Sequence, residues 1–240
     1  MDIALTFDLE KDANLNSTYG IQIGLKKILK ILKKFSINAT FFVTSFIAQS
    51  YPEIIKKLSQ ENEIGSHGHI HKKYKKIGDI ERKGLKKSKL LLEEITGKEV
   101  LGFRAPNLYT NFQLYKTLKE LNFVYDASGK PNSKLNSILG LKIFKVSDFN
   151  VYFRFPFGKK NFMKKLSQNQ NKLSILYFHP WESVDMRQLY IQSRSFSSLM
   201  FRPDRWVNTG EIFLRKFEDL IRYCIRRKFK FKILSKMLDL

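Results

Sequence analysis

Cysteine is almost missing from this chain. Cys224 is the only one in 240 residues, so no disulfide can close within the chain. It stands in an apolar helical pattern with no histidine near it in sequence, which fits a small buried hydrophobe better than a nucleophile. Long apolar runs are also lacking: no stretch approaches the roughly 18 residues that a membrane-spanning helix needs. The start, Met1 to Asp8, has neither the basic opening nor the apolar core of a signal peptide and reads as a folded strand. The expectation is a cytoplasmic protein, with peripheral attachment at the inner face of a membrane as its variant. Six prolines and twelve glycines, spread without a low-complexity tract or repeat, leave no linker, so residues 1–240 are expected to form one domain. Hydrophobic content of 43% with 14% aromatics is enough for a sizeable core.

Acidic residues are scarce. Asp and Glu number 22 against 44 Lys and Arg, a formal net charge of +22. Three readings fit: lysine-rich codon usage, attraction to an anionic membrane or phosphorylated substrate, and nucleic-acid binding. The basic residues run from Lys26 to Lys236 instead of gathering in one arm, and no common nucleic-acid motif is present. Nucleic acid is therefore the least supported partner.

What is present alternates short apolar runs with helical patterns. Strands are expected at Ile3–Phe7, Ala39–Val43, Glu63–Ser66, Val100–Phe103, Phe123–Tyr125, Tyr152–Phe155 and Leu173–Phe178, with a last half-buried one where Phe229, Phe231 and Ile233 alternate with lysines. Helices are expected through Leu25, Ile28, Leu29, Leu32 and Phe35, with a lysine-rich outer face, and over Pro52–Leu58, Ile80–Thr96, Gln113–Leu121 and Glu211–Arg227. Strands separated by helices over this length favour an α/β barrel or a doubly wound sheet.

All four histidines fall at informative places: His67, His69 and His71 lie within five positions, and His179 follows an expected strand. If a helix begins just after the third strand, His67 and His71 share a face, a spacing that suits two imidazoles on one metal, with His69 pointing elsewhere. Asp8, Arg104 and His179 each stand directly after a strand, where a barrel delivers side chains to its catalytic end. Taken singly, Asp8 also fits a cap and Arg104 an ion pair; the shared position makes a constellation of them.

Five segments carry a resemblance: Leu5-Thr6-Phe7-Asp8, Ile37 to Val43, Glu63 to His71, Gly102-Phe103-Arg104-Ala105-Pro106, and Tyr177-Phe178-His179-Pro180-Trp181-Glu182. In this order they resemble the motifs of the polysaccharide deacetylase family, carbohydrate esterase family four. The similarity extends through Tyr152 to Pro156 and covers roughly residues 1 to 235. It implies a distorted (β/α) barrel of the polysaccharide deacetylase type, a single α/β domain. It also implies a divalent metal held by His67, His71 and a carboxylate, with Asp8 as general base, Arg104 holding that aspartate charged, and His179 as general acid. The ion expected is Zn²⁺, with Co²⁺, Ni²⁺ or Fe²⁺ suiting the same ligands. These roles agree with the needs of amide hydrolysis: an activated water, a stabilised oxyanion and a proton for the leaving amine.

The chain departs from the family where a second aspartate usually follows the first, because Leu9 stands there. Glu10, two along an extended segment, projects to the same side as Asp8 and becomes the expected ligand, in a branch with an Asp-x-Glu first motif; Asp12 is the reserve. The carboxylate that tunes the acid histidine is left between Asp126 and Asp148. Pro106, Asn107 and Trp181 are the candidate sugar contacts, with Glu182 beside them and Trp181 equally suited to a core; His69 reads as second shell or surface. The expected function is removal of an N-acyl group, in the first place N-acetyl, from a carbohydrate that is phosphorylated or lipid-linked. Alternatives are a deformylase on a lipid-linked amino sugar and a catalytically inactive glycan-binding barrel.

Overall fold

The computed structural model describes residues 1–129, 140–148, 153–155, 158–169 and 173–238. The chain folds into two compact units that strand β1 (Asp2–Leu9) joins: Met1–Leu5, Lys11–Asn38 and Ser147–Phe231 make the first, and Thr6–Glu10, Ala39–Val146 and Lys232–Leu240 the second.

In the second unit the later part of β1 pairs in parallel with β2 (Thr40–Val43), and the sheet continues through β3 (Glu63–Ser66), β4 (Gly102–Phe103), β5 (Tyr125–Asp126) and β6 (Lys142–Ile143). Every residue of β2 is buried, as expected of a parallel strand covered on both faces. The rings of Phe7 and Phe41 stack 5.0 Å apart between neighbouring strands. Helices α2 (Ser45–Ser50) and α3 (Pro52–Leu58) follow β2, α4 (Asp79–Thr96) follows β3, and α5 (Phe112–Glu120) follows β4. The short α2 has no clear sequence period and was not expected. Thr44 starts it, its hydroxyl accepting from the Ile47 N–H.

In the first unit the start of β1 pairs in parallel with β8 (Lys230–Phe231), and the helices are α1 (Leu25–Lys34), α6 (Gly158–Gln168), α7 (Met186–Gln192), α8 (Phe196–Phe201) and α9 (Glu211–Arg226). The remaining strand, β7 (Leu173–Phe178), leads to His179. Helix α1 buries Leu25, Ile28 and Leu32 and leaves Lys26, Lys30, Lys33 and Lys34 exposed, the amphipathic pattern read from its spacing. Lys27 and Lys34 bond Glu211 and Glu218 of α9 at 2.9 and 2.8 Å. Phe153, Phe162, Phe178, Phe213 and Phe217 form an aromatic core, with centroid spacings of 5.1 to 6.0 Å. Cys224 is fully buried.

Three expectations are corrected. No helix follows β3 directly: residues 67–78 are bends and irregular chain, and α4 begins only at Asp79. Gly68 takes φ +81°, which no helix continues through. The strand expected over Tyr152–Phe155 is absent where the structure describes it, since Phe153–Phe155 is a turn and Tyr152 and Pro156 lie outside the described residues. Its carbonyls serve side chains instead of a ladder. Lys216 donates to Phe153 O and Phe155 O, and Asn208 Nδ2 donates to Arg154 O at 2.7 Å. The terminal strand is cut to two residues because, in the second unit, the N–H groups of Leu234 and Ser235 bond the side chains of Thr40 and Glu63. Among the described residues no helix is long and apolar enough to cross a membrane.

Candidate metal centre and acid histidine

The second unit gathers Asp8, Glu10, His67, His71 and Arg104 at the C-terminal ends of β1, β3 and β4. Period-two alternation decides which residues of β1 take part. Leu9 is fully buried in the core, so Asp8 and Glu10 project on the opposite side. The main chain stays extended there because Thr44 N–H donates to Leu9 O at 3.2 Å. Glu10 Oε2 lies 3.4 Å from His67 Nε2 and 2.5 Å from His71 Nε2. One ligand atom from each of the three falls within 4.8 Å of the others. The turn at Gly68, not a helix face, brings His71 back beside His67.

The cluster fits a divalent ion. His67 is buried, and its Nδ1 lies 2.8 Å from the Arg104 carbonyl. A carbonyl only accepts, so the ring carries its proton on Nδ1 and turns the Nε2 lone pair toward Glu10. That is the arrangement by which metal-binding histidines are oriented. Burial opposes protonation of His67, but the negative charges of Asp8 and Glu10 outweigh it and hold its pKa above the ordinary histidine value. A cation placed here would satisfy the same attraction without a proton. The loop is held firmly: Ser66 Oγ bonds Ser88 Oγ at 2.9 Å, Ser88 Oγ donates to Gly68 O at 3.1 Å, and the Ser45 N–H donates to Gly68 O at 3.1 Å.

Arg104 is completely buried and spans the strand ends: Nη1 donates to Asp8 Oδ1 and Thr6 Oγ1, each at 2.8 Å, and Nε to Ala127 O at 2.9 Å. Its guanidinium stacks 4.3 Å over the Phe42 ring. Asp126, one of the two expected partners of His179, is bonded within its own turn. It accepts from Ser128 Oγ, Ser128 N and Gly129 N at 2.7 to 3.0 Å, closing the turn whose Ala127 carbonyl receives Arg104. Burial pushes its carboxyl up to about 6 against those bonds. His69 packs beside Gly84 of α4, and burial with the nearby Lys87 charge lowers its pKa. Asn107 is exposed at φ +58°, and Pro106 is buried.

Asp12 does not join the cluster. In the first unit it is buried and accepts from Ser17 Oγ at 2.7 Å, the Tyr19 N–H at 2.7 Å and the Gly20 N–H at 2.8 Å, tying the loop that opens the π-helical turn Gly20–Gly24. A side chain at Gly20 would meet the Trp181 backbone nitrogen at 2.5 Å. This close approach seats the segment after β7.

That segment carries His179. The turn Pro180–Ser183 returns Glu182 onto it: Glu182 Oε1 accepts from the His179 N–H at 2.9 Å and lies 3.0 Å from His179 Nδ1. Arg154 Nη2 lies 3.1 Å from both Glu182 Oε1 and His179 Nδ1. Burial raises the Glu182 pKa, but the Arg154 charge and the His179 bonds more than offset this and keep it an anion. Trp181 is 1% exposed and stacks on His179 at 4.9 Å within a core of Ala13, Met186 and Tyr190, so it supports the histidine from beneath instead of facing solvent. Sequence reasoning grouped Glu182 with the sugar contacts. The signal that could have found its role is the acid three residues after His179 at the start of a helical turn, the spacing of a capping box.

A parallel α/β sheet whose strand ends carry a buried Asp–Arg pair beside a two-histidine, one-carboxylate cluster defines a class of protein equipped to hold a metal at a barrel's working end. The polysaccharide deacetylase family model matches residues 1–125, and the chain belongs to that family. The match ends before His179. The peptidoglycan-N-acetylglucosamine deacetylase of Bacillus cereus is 32% identical over 124 residues, 50% of this chain and 53% of that enzyme, so the chain spans about half its length. Among solved structures, a family 4 acetyl xylan esterase from Clostridium thermocellum, in complex with a cobalt ion, superposes with a TM-score of 0.63 at 16% identity, over 100% of this chain and 91% of that one. A family 4 pseudoenzyme from Bacillus anthracis gives 0.61 at 15%, over 99% and 65%. The fold is the distorted α/β barrel class that these proteins share.

Proposed function

We propose that this protein is a metal-dependent carbohydrate N-deacylase that removes an N-acetyl group. The observation that carries the reading is the convergence of Glu10, His67 and His71 beside the Asp8–Arg104 pair. A divalent ion bound by the three would lower the pKa of water and offset negative charge on the amide oxygen. Asp8 takes the proton of the attacking water. Arg104 keeps it an acceptor, because its bond to Oδ1 favours the carboxylate. His179, assigned from the family resemblance and from its own surroundings, gives its Nε2 proton to the leaving nitrogen while Glu182 holds Nδ1–H. The products are the free amine and the carboxylic acid, acetate for an N-acetyl substrate.

A binding barrel without activity is the second reading, favoured by Leu9 at the usual ligand position and by the pseudoenzyme among the structural neighbours. The test is metal content of the wild type beside Glu10→Ala and His67→Ala, with acetate and formate release from N-acetylated and N-formylated sugars, free, phosphorylated and lipid-linked. Near-stoichiometric metal that both substitutions remove, with acetate release from at least one sugar, supports the deacylase. Metal binding without release from any of them supports the binding barrel, and no metal after reconstitution overturns the site.

A further inference from the structure

In the first unit, helices α7 and α8 pack together and send Met186, Leu189, Tyr190 and Leu199 into the core around Trp181. Beside them α8 leaves Phe196 61%, Met200 73% and Phe201 73% exposed, and α7 leaves Ile191 51% exposed among Arg187, Gln188 and Gln192. A folded domain rarely leaves three large apolar side chains of one short helix this bare without a partner for them. The surrounding charge is mostly positive. Residues 185–206 hold Arg187, Arg194, Arg202 and Arg205 against two acids, Asp185 and Asp204; Asp204 is taken up by Arg202 at 3.0 Å and Arg205 at 3.2 Å, and Asp185 caps α7 by accepting from the Gln188 N–H at 3.1 Å.

We propose that this face docks on an anionic lipid bilayer, with Phe196, Met200 and Phe201 entering the acyl boundary and the arginines at headgroup level. An apolar face bordered by arginines is the composition that binds a membrane surface in the plane of the interface. Charge complementarity decides the occupant. A second copy of the chain would set the same arginine-rich surface against itself, on molecules that each carry +22, whereas anionic headgroups neutralise it. Nucleic acid would answer the charge but not Ile191 and Met200, which offer no ring for bases to stack on. The proposal does not depend on the deacylase reading, because it concerns binding alone.

The test is flotation of the full chain with phosphatidylcholine vesicles, with and without phosphatidylglycerol. The wild type is expected to float only with the anionic vesicles and to release as salt rises. Phe196→Ser/Met200→Ser/Phe201→Ser is expected to cut the bound fraction by about 10-fold or more, and Arg187→Gln/Arg194→Gln by about 3-fold or more. Both variants should keep the wild-type circular dichroism and nearly its melting temperature, since the replaced side chains are exposed and Arg187 gives up only its contact 5.7 Å from the Trp206 ring. Lys26→Gln/Lys30→Gln/Lys33→Gln, on the basic face of α1, should change binding by less than about 3-fold. Phe201→Trp gives a direct readout, with bromolipids quenching its fluorescence beyond the wild-type level. The proposal is overturned if the serine variant floats like the wild type, which would leave diffuse charge as the cause. It is equally overturned if anionic vesicles bind nothing while the wild type dimerises and the serine variant does not, which would make a second copy the occupant.

Discussion

Glu182 Oε1 and Arg154 Nη2 stand 3.1 Å apart, and each lies within 3.1 Å of Nδ1 of His179. One ring nitrogen cannot serve both at once, because it must donate to the carboxylate and accept from the guanidinium. Glu182 favours the form protonated at Nδ1, and Arg154 favours the form that leaves Nδ1 bare.

The two partners therefore predict opposite effects on the rate profile. In Glu182→Gln the imidazolium loses its counter-charge, so the alkaline limb of kcat against pH moves to lower pH, with kcat reduced about 10²-fold. In Arg154→Met a repelling cation is removed and the same limb moves to higher pH. KM should change by less than about 3-fold in each, since neither group is assigned to substrate binding. Limbs that stay in place in both variants would reduce the pair to a structural role.

Asp12 separates metal binding from loop architecture. Asp12→Ala leaves the part-buried Tyr19 N–H and the buried Gly20 N–H without their acceptor. A loss of about 2 to 4 kcal/mol in urea unfolding is expected, at the usual cost of a buried unsatisfied donor, with metal stoichiometry unchanged. Glu10→Ala should do the reverse, losing metal while the metal-free protein keeps its stability to within about 1 kcal/mol. Metal loss in Asp12→Ala would make Asp12 a ligand after all.

How much of this was legible depended on the range of the information. The amphipathic period of α1 and the apolar runs of β1, β2, β3 and β7 are local, and they located those elements within a few residues. Alternation across Asp8, Leu9 and Glu10 is local too, and it singled out the carboxylate that meets the two histidines. The path between the histidines was not legible, because a four-residue spacing reads the same in a helix as in a turn at a left-handed glycine. The turn at Phe153–Phe155 was equally hidden. Its carbonyls are claimed by Asn208 and Lys216, far along the chain, and no local pattern shows such a partner.

Lys216 links that turn to pH. Burial lowers its pKa from 10.5 to about 8, so between these values the unfolded chain binds a proton that the folded one does not. Stability then rises with pH across that window, and the cost of burying the ammonium is fully present below about pH 8. Other groups titrate in the same range, so the informative quantity is the difference between the wild type and Lys216→Met. The wild type should gain on the variant by about 1 to 3 kcal/mol from pH 8 to pH 10.5 in urea unfolding. A difference that stays flat across the window would show that the ammonium is not desolvated by folding.

Gly68 is where the metal cluster is most exposed to a single substitution. It combines φ +81° with a contact in which any Cβ would collide with the Tyr74 hydroxyl. Gly68→Ala should therefore cost about 2 to 4 kcal/mol, part of it backbone strain and part overpacking. The two parts can be told apart with Tyr74. Tyr74→Phe alone loses the hydroxyl's backbone hydrogen bond with His69, worth about 1 kcal/mol. In Gly68→Ala/Tyr74→Phe the collision is gone and the strain remains, so the double variant should be more stable than the sum of the single effects predicts by about 1 to 2 kcal/mol. Metal affinity should follow the strain, because the turn at Gly68 sets the approach of His71 to His67. It should fall about 10-fold or more in both variants that carry alanine, as for other losses of ligand support, and stay at the wild-type level in Tyr74→Phe. Full affinity in Gly68→Ala would mean that the two histidines meet without help from this turn.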